Sequence, residues 1–184
     1  MLNAPLKYIE DYWRNQIIEI ITLIMPQYIY VLKEVTIKGK NKKRIDILLI
    51  NTNGNVDIIE VKRYDPKPLI GSHPDSRGNY KPSATLSSAI VQGEKYAYLC
   101  NVYSQEFKQE VEKRLREEYK IDFKVNVLNP KVFIIMGNNH EMTESQTADF
   151  ELIRRMYSNI IDIITYGDLL ERLNNIINAL QEKN

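Results

Sequence analysis

Residues 42–63, KKRIDILLINTNGNVDIIEVKR, constrain this chain more than any other stretch. Ile45 to Ile50 and Val56 to Val61 are short runs of branched apolar residues, the composition of buried strands. Asn51 to Asn55 joins them, and its Asn53-Gly54 pair can take the positive φ angles that a tight hairpin turn demands. Asp46, Glu60 and Lys62 interrupt the apolar runs. Positions i and i+2 of a strand share a face, so Glu60 and Lys62 point the same way.

Two interpretations of these charges stay open at this point. Two carboxylates with a lysine on paired strands form a cage suited to Mg²⁺ and an activated water. Alternatively, all three lie on the solvent face of an antiparallel hairpin. Charged residues make up 27% of the chain, so an Asp followed loosely by Glu-x-Lys arises by chance about once in such a chain. The pattern alone carries little weight. Its setting carries more, because charge buried in a β run is costly unless metal or partners compensate it.

At 184 residues and 43% hydrophobic content, the chain has the size and composition of one domain with a real core. The net charge of +1 gives no global signal for nucleic acid, so any such binding must use a local patch. A single cysteine, Cys100, excludes a disulfide framework and a cysteine zinc site, and suits a reducing cytosol. The opening MLNAPLKYIEDYW lacks the layout of a signal peptide. No apolar run approaches the roughly 20 residues of a membrane span.

In chain order, apolar residues from Ile9 to Ile24 keep helical spacing, which predicts a helix from Leu6 to about Met25, closed by Pro26. Glu10 lies on or beside its apolar stripe, although a first-turn glutamate is usually there for the helix dipole. Tyr28 to Lys38 is the next predicted strand. Lys38, Lys40, Lys42, Lys43 and Arg44 then put five cations in seven residues, either a solvated turn or a grip on a phosphate backbone. Tyr64 to Ser83, with four prolines and two glycines, is a long loop with too few apolar residues to pack rigidly, expected to become ordered on binding. Helices are predicted over Ala84 to about Tyr103, with Gln92 and Tyr96 neighbours on one side, and over Ser104 to Tyr119. Lys131 to Met136 has the apolar character of a strand inside a mixed or parallel sheet. A helix ending near Tyr157, a strand at Ile160 to Ile164 and a final helix follow. Thr165 and Asp168 have capping-box spacing for that last helix. The order α, β, β, β, α, α, β, α, β, α describes an α/β domain over residues 1–184, with a core to about 137 and a C-terminal α-β-α extension over 138–184.

A helix carrying Glu10, strands presenting Asp46 and Glu60-Val61-Lys62, a helix with Gln92 and then a strand resemble the αβββαβ core of PD-(D/E)XK nucleases. More specifically, the blocks RIDILLI, IIEVKR, AIVQGEKYAYL, KVFIIMGN, DFELIRRMY and IIDIITYGDLLERL resemble the nuclease domain of the Shedu anti-phage defence proteins. That resemblance implies a Mg²⁺-dependent endonuclease, with Mn²⁺ as a substitute, hydrolysing DNA in the cytoplasm as a homo-oligomer. It needs no membrane and no small-molecule cofactor. It makes Asp46 and Glu60 metal ligands, Lys62 the residue acting on the attacking water, and Gln92 a residue over the site with Tyr96 one turn on, against substrate. Glu10 would complete the metal shell, with Asp11 and Glu19 on the same helix as alternatives. Ile45 stands where the superfamily motif has proline, a position with no chemical role. Shedu proteins commonly carry an additional N-terminal region, and this sequence starts almost directly at the core.

The flanking cations Lys42, Lys43, Arg44, Arg63, Lys67, Arg77 and Lys81 could hold phosphates. His140 and His73 are expected in loops, with no second histidine ligand beside either. Ser72, Ser76 and Ser87 have no nucleophile elbow, and no phosphate-binding glycine loop is present. The rival function is a nuclease-fold module that binds DNA or a partner protein with weak or no catalysis.

Overall fold

The computed structural model describes residues 10–38, 42–139 and 141–181, without the side chains of residues 10, 11 and 13. The expected start of the first helix at Leu6, the cluster member Lys40 and the loop residue His140 lie outside the described residues. Ten elements follow one another: α1 (Glu10–Ile24), β1 (Tyr28–Ile37), β2 (Lys43–Asn51), β3 (Val56–Val61), α2 (Ala84–Val102), α3 (Ser104–Tyr119), β4 (Val132–Ile135), α4 (Glu144–Tyr157), β5 (Ile161–Ile164) and α5 (Tyr166–Gln181).

The strands make one five-stranded sheet in the order β1-β2-β3-β4-β5. β1, β2 and β3 are antiparallel neighbours, while β3, β4 and β5 run parallel. The sequence dictates this mix: short turns join the first three strands, and only helical crossovers separate the rest. β4 is buried at all four positions between two parallel partners, as its unbroken apolar run requires.

Helices cover both faces. Leu86, Ala89 and Cys100 of α2, Phe107, Val111 and Leu115 of α3 and Phe150 of α4 pack on one face against Leu48, Ile58 and Ile134. Ile17 and Ile21 of α1 and Tyr166 and Leu169 of α5 pack on the other against Ile47, Ile59 and Ile135. Gly93 lets α2 settle close to the sheet, since a Cβ there would lie 3.1 Å from Val132 Cγ1. Thr165 and Asp168 form the expected box on α5: the Asp168 amide donates to Thr165 Oγ1 at 3.0 Å, and the Thr165 amide to Asp168 Oδ2 at 2.8 Å.

Two local features differ from expectation. In the β2–β3 turn only Gly54 is left-handed, at φ +82°. The turn is instead closed by Asn51, whose Oδ1 accepts from the Asn53 amide at 2.9 Å and the Asn55 amide at 3.0 Å. The segment 64–83 is also better anchored than its composition suggests. Leu69 and Ile70 are buried. The Gly71 amide donates to the Lys81 carbonyl at 2.9 Å and the Ser83 amide to that of Leu69 at 2.8 Å. Asp149 of α4 accepts from the Tyr80 amide, and Gln146 donates to the Gly71 carbonyl.

Candidate active site

Strict alternation fails where the sheet meets the proposed site. In β2, Ile47 and Leu49 face α1, whereas Leu48 and Ile50 face α2. Ile45 should therefore face α1, yet it packs with the α2 side. The break falls at Asp46. In β1 the same break falls at Glu34: Leu32 and Val35, three apart, are both on the α2 side, and Glu34 has φ +53°. Lys33 lies opposite Ile47 and Val35 opposite Ile45, so Glu34 sits across from Asp46. A left-handed residue with a long side chain is uncommon and costs about 1 kcal/mol or more.

The break opens β2 away from β3. Paired register ends at Ile47–Ile59, and beyond it the Asp46 side chain replaces the backbone ladder, its Oδ2 accepting from the Val61 amide at 3.0 Å. Glu60, 3% exposed, points to the α2 side and meets that helix. Its Oε1 accepts from Lys62 Nζ at 2.7 Å and from Gln92 Nε2 at 2.7 Å. Lys62 Nζ also donates to Gln92 Oε1 at 2.8 Å, which closes a three-membered network. The solvent-face interpretation of Glu60 is thereby excluded. Tyr166 of α5 donates to the Lys62 carbonyl at 2.7 Å, so the end of β3 is held from both faces.

Tyr96 is buried, with its hydroxyl accepting from Gln92 Nε2 at 2.7 Å and donating to the Arg44 carbonyl at 3.1 Å. That puts it behind Gln92, fixing the amide, rather than on a surface where substrate would pass. Burial, then the negative charges of Glu60 and Asp46, raise its phenol above the ordinary range.

Arg14 of α1 is the residue that sequence reasoning missed. It is 6% exposed, with Nη1 2.7 Å from Glu34 Oε1 and Nε 3.7 Å from Asp46 Oδ1. A signal existed: Arg14 is three residues before Ile17 and seven before Ile21, a cation on the apolar stripe. The side chains of Glu10 and Asp11 lie outside the described residues, and Glu19 is exposed, away from the face that Arg14 and Ile17 present to the sheet.

The donor set suits a hard cation. Among the described residues it offers the carboxylates of Asp46 and Glu60, and Mg²⁺ commonly takes one or two carboxylates with water and phosphate completing its shell. Among the described residues no group of three His, Cys, Asp or Glu side chains comes together. Lys62, Arg63, Lys67 and Thr85 help line a cleft of about 160 Å³ beside the network. Lys42, Arg44, Arg63, Arg77 and Lys81 are exposed, and Lys43 is half-buried. Lys38 of the same cluster is engaged instead, donating to Glu110 Oε2 at 2.6 Å.

The family model described as Shedu protein SduA, C-terminal, matches residues 7–170. The chain belongs to this Shedu family. No curated protein matches it. The matched span of the Shedu domain includes Asp46, Glu60, Lys62, Gln92 and Glu10 and ends inside α5. Family membership suggests a role in defence against phage. No helix among the described residues is long and apolar enough to cross a membrane.

Proposed function

We propose that this Shedu domain is a Mg²⁺-dependent deoxyribonuclease of the PD-(D/E)XK type, working in anti-phage defence in the cytoplasm as a homo-oligomer. The observation that carries this is the meeting of Lys62 and Gln92 on the buried Glu60 carboxylate at the point where Asp46 breaks the β2–β3 ladder. A buried carboxylate is costly in an ordinary sheet unless it is paired, and here a lysine and an amide converge on it at a strand end. The order of one helix, three antiparallel strands, helices and a parallel strand also accords with the core of that superfamily.

Asp46 and Glu60 would hold Mg²⁺, or Mn²⁺ in its place, with Glu10 as the first-helix acid. The ion, when bound, supplies an acidified water and neutralises charge on the phosphate. Lys62 places a second positive charge beside the scissile phosphate and orients the water. Gln92 holds Glu60 and Lys62 in register, and Tyr96 holds Gln92. Lys42, Lys43, Arg44, Arg63, Arg77 and Lys81 contact flanking phosphates, which fix position without reading sequence.

Linear, circular and single-stranded DNA, each incubated with the chain in Mg²⁺ and in EDTA, test the proposal. Cleavage is expected in Mg²⁺ alone and should be lost in Asp46→Asn and Glu60→Gln. DNA binding without cleavage by the unaltered chain would overturn it in favour of a nuclease-fold binding module.

A further inference from the structure

Lys62, whose Nζ bonds Glu60 and Gln92, also forms one wall of the cleft of about 160 Å³ at the exit of β3. The depth of that cleft is apolar and its mouth is charged. Leu69, Met136 and Gly137 line it and are buried, whereas Arg63, Asp65, Lys67 and Thr85 line it and are exposed. The floor is also fixed in place. Leu69 lies over Gly137, where a Cβ would come within 2.5 Å of Leu69 Cδ2. The Leu69 carbonyl accepts from the Ser83 amide at 2.8 Å, and the Gly137 carbonyl from the Tyr166 amide at 3.2 Å. On the Lys62 side, the backbone amide donates to the Ile135 carbonyl at 2.9 Å.

This lining discriminates between the parts of a nucleotide. A phosphate pressed into the cleft would meet hydrocarbon below and the Asp65 carboxylate at the mouth, and burying an anion in that way is costly. Asp65 is held there by its own turn, with Oδ1 accepting from the Lys67 amide at 3.0 Å. A nucleobase brings flat apolar faces for Leu69 and Met136 and polar edges for Asp65 and Thr85. Its phosphates stay outside, beside Arg63 and Lys67. We infer that this cleft receives one unpaired nucleobase of the substrate strand, which directs the chain to DNA with single-stranded or extruded positions. The inference deepens the nuclease reading above and rests on it for placing the scissile phosphate at Lys62. A cleft of this size has room for one base and not for a base pair. Extruding a base from a duplex costs pairing and stacking, and costs least where the base is already unpaired.

The test is fluorescence anisotropy in EDTA, which reads binding without cleavage, on a labelled duplex and on the same duplex carrying one unpaired thymine. The unpaired thymine should tighten binding by about fivefold or more, and an abasic residue in its place should remove the gain. Thr85→Leu narrows the mouth at an exposed position and should bring the ratio of the two affinities toward unity. Equal affinities for the two duplexes, or a ratio unchanged in Thr85→Leu, overturn the inference. So does an abasic residue that binds as tightly as thymine, because the kinked backbone is then what is recognised. If the variant does not fold, the abasic comparison decides by itself. Cleavage in Mg²⁺ separates the two levels. Cutting of both duplexes at equal affinity removes the cleft inference alone. A thymine-dependent gain with no cutting of any DNA upholds the base site and removes the nuclease reading.

Discussion

Lys62 bonds both the buried Glu60 and Gln92, so its removal has two separable consequences. Lys62→Ala should lower turnover on DNA by about a hundredfold or more, because a positive charge aimed at the transition state is lost. It should also lower the melting temperature, because Glu60 keeps its burial and loses a counter-charge. Mn²⁺ should restore part of that temperature, and metal affinity should not fall. Unchanged cleavage rates in single-turnover assays would make the Glu-x-Lys pattern incidental. Tyr96→Phe removes a hydroxyl with two partners, and should cost about 1 kcal/mol in denaturant unfolding with a smaller loss of activity than Gln92→Ala. Cys100 is fully buried, and burial pushes its thiol up to about 12. A raised thiol pKa favours the neutral form in the fold, so this contribution holds below the unfolded value and fades only as alkaline pH exceeds it. Thiol reagents at neutral pH should label Cys100 only after unfolding.

At the scale of elements, β1 is an edge strand of ten residues, long enough to recruit another chain. α3 covers that edge. Tyr119 donates to the Val31 carbonyl at 2.8 Å and accepts from its amide at 3.3 Å, and Arg114 donates to the Lys33 carbonyl at 2.7 Å. Tyr119 also packs edge-on against Tyr30, with ring centroids 5.1 Å apart. The double variant Tyr119→Ala, Arg114→Ala should expose the edge and raise light scattering on warming, with little change in helix content. The turn before β3 is as tightly determined. Gly54 is left-handed, and a Cβ there would lie 2.5 Å from the Lys124 carbonyl oxygen. Gly54→Ala should therefore lose about 2 kcal/mol or more of stability, read as a shifted urea midpoint.

For the whole molecule, the segment 64–83 joins the end of β3 to the helix bearing Gln92, so both its ends border the candidate site. Its backbone bonds to α4 and to itself make it a fixed rim. Amide exchange at Gly71 and Ser83 should accordingly be slow without DNA. Arg77 and Lys81 are exposed on this rim. Neutralising both should weaken DNA binding and reduce its salt slope by up to about two counterions, without changing metal affinity. An unchanged affinity and slope would leave the phosphates to Lys42, Lys43 and Arg44.

The ten elements and their order were legible in the sequence because periodicity, caps and turn residues act over a few neighbours. The 3.6-residue stripe of α1, the apolar β4 run and the Thr165–Asp168 box are all of that kind. Glu60 and Lys62 were legible as a pair because a strand fixes i and i+2 on one face. Their distant partners left no local pattern: Gln92 was reached only through the family resemblance, and Arg14 not at all. Arg14 lies 32 residues from Asp46 in the chain, and Gln92 lies 32 from Glu60. Such meetings depend on how helices dock across a twisted sheet. Composition also made the 64–83 segment look loose, since hydrogen bonds to Asp149 and Gln146 leave no local pattern. Above all, the phase break at Glu34 and Asp46 was invisible, because alternation is a rule about a regular ladder. Only packing on both faces decided where that ladder yields, and the candidate site stands at that point.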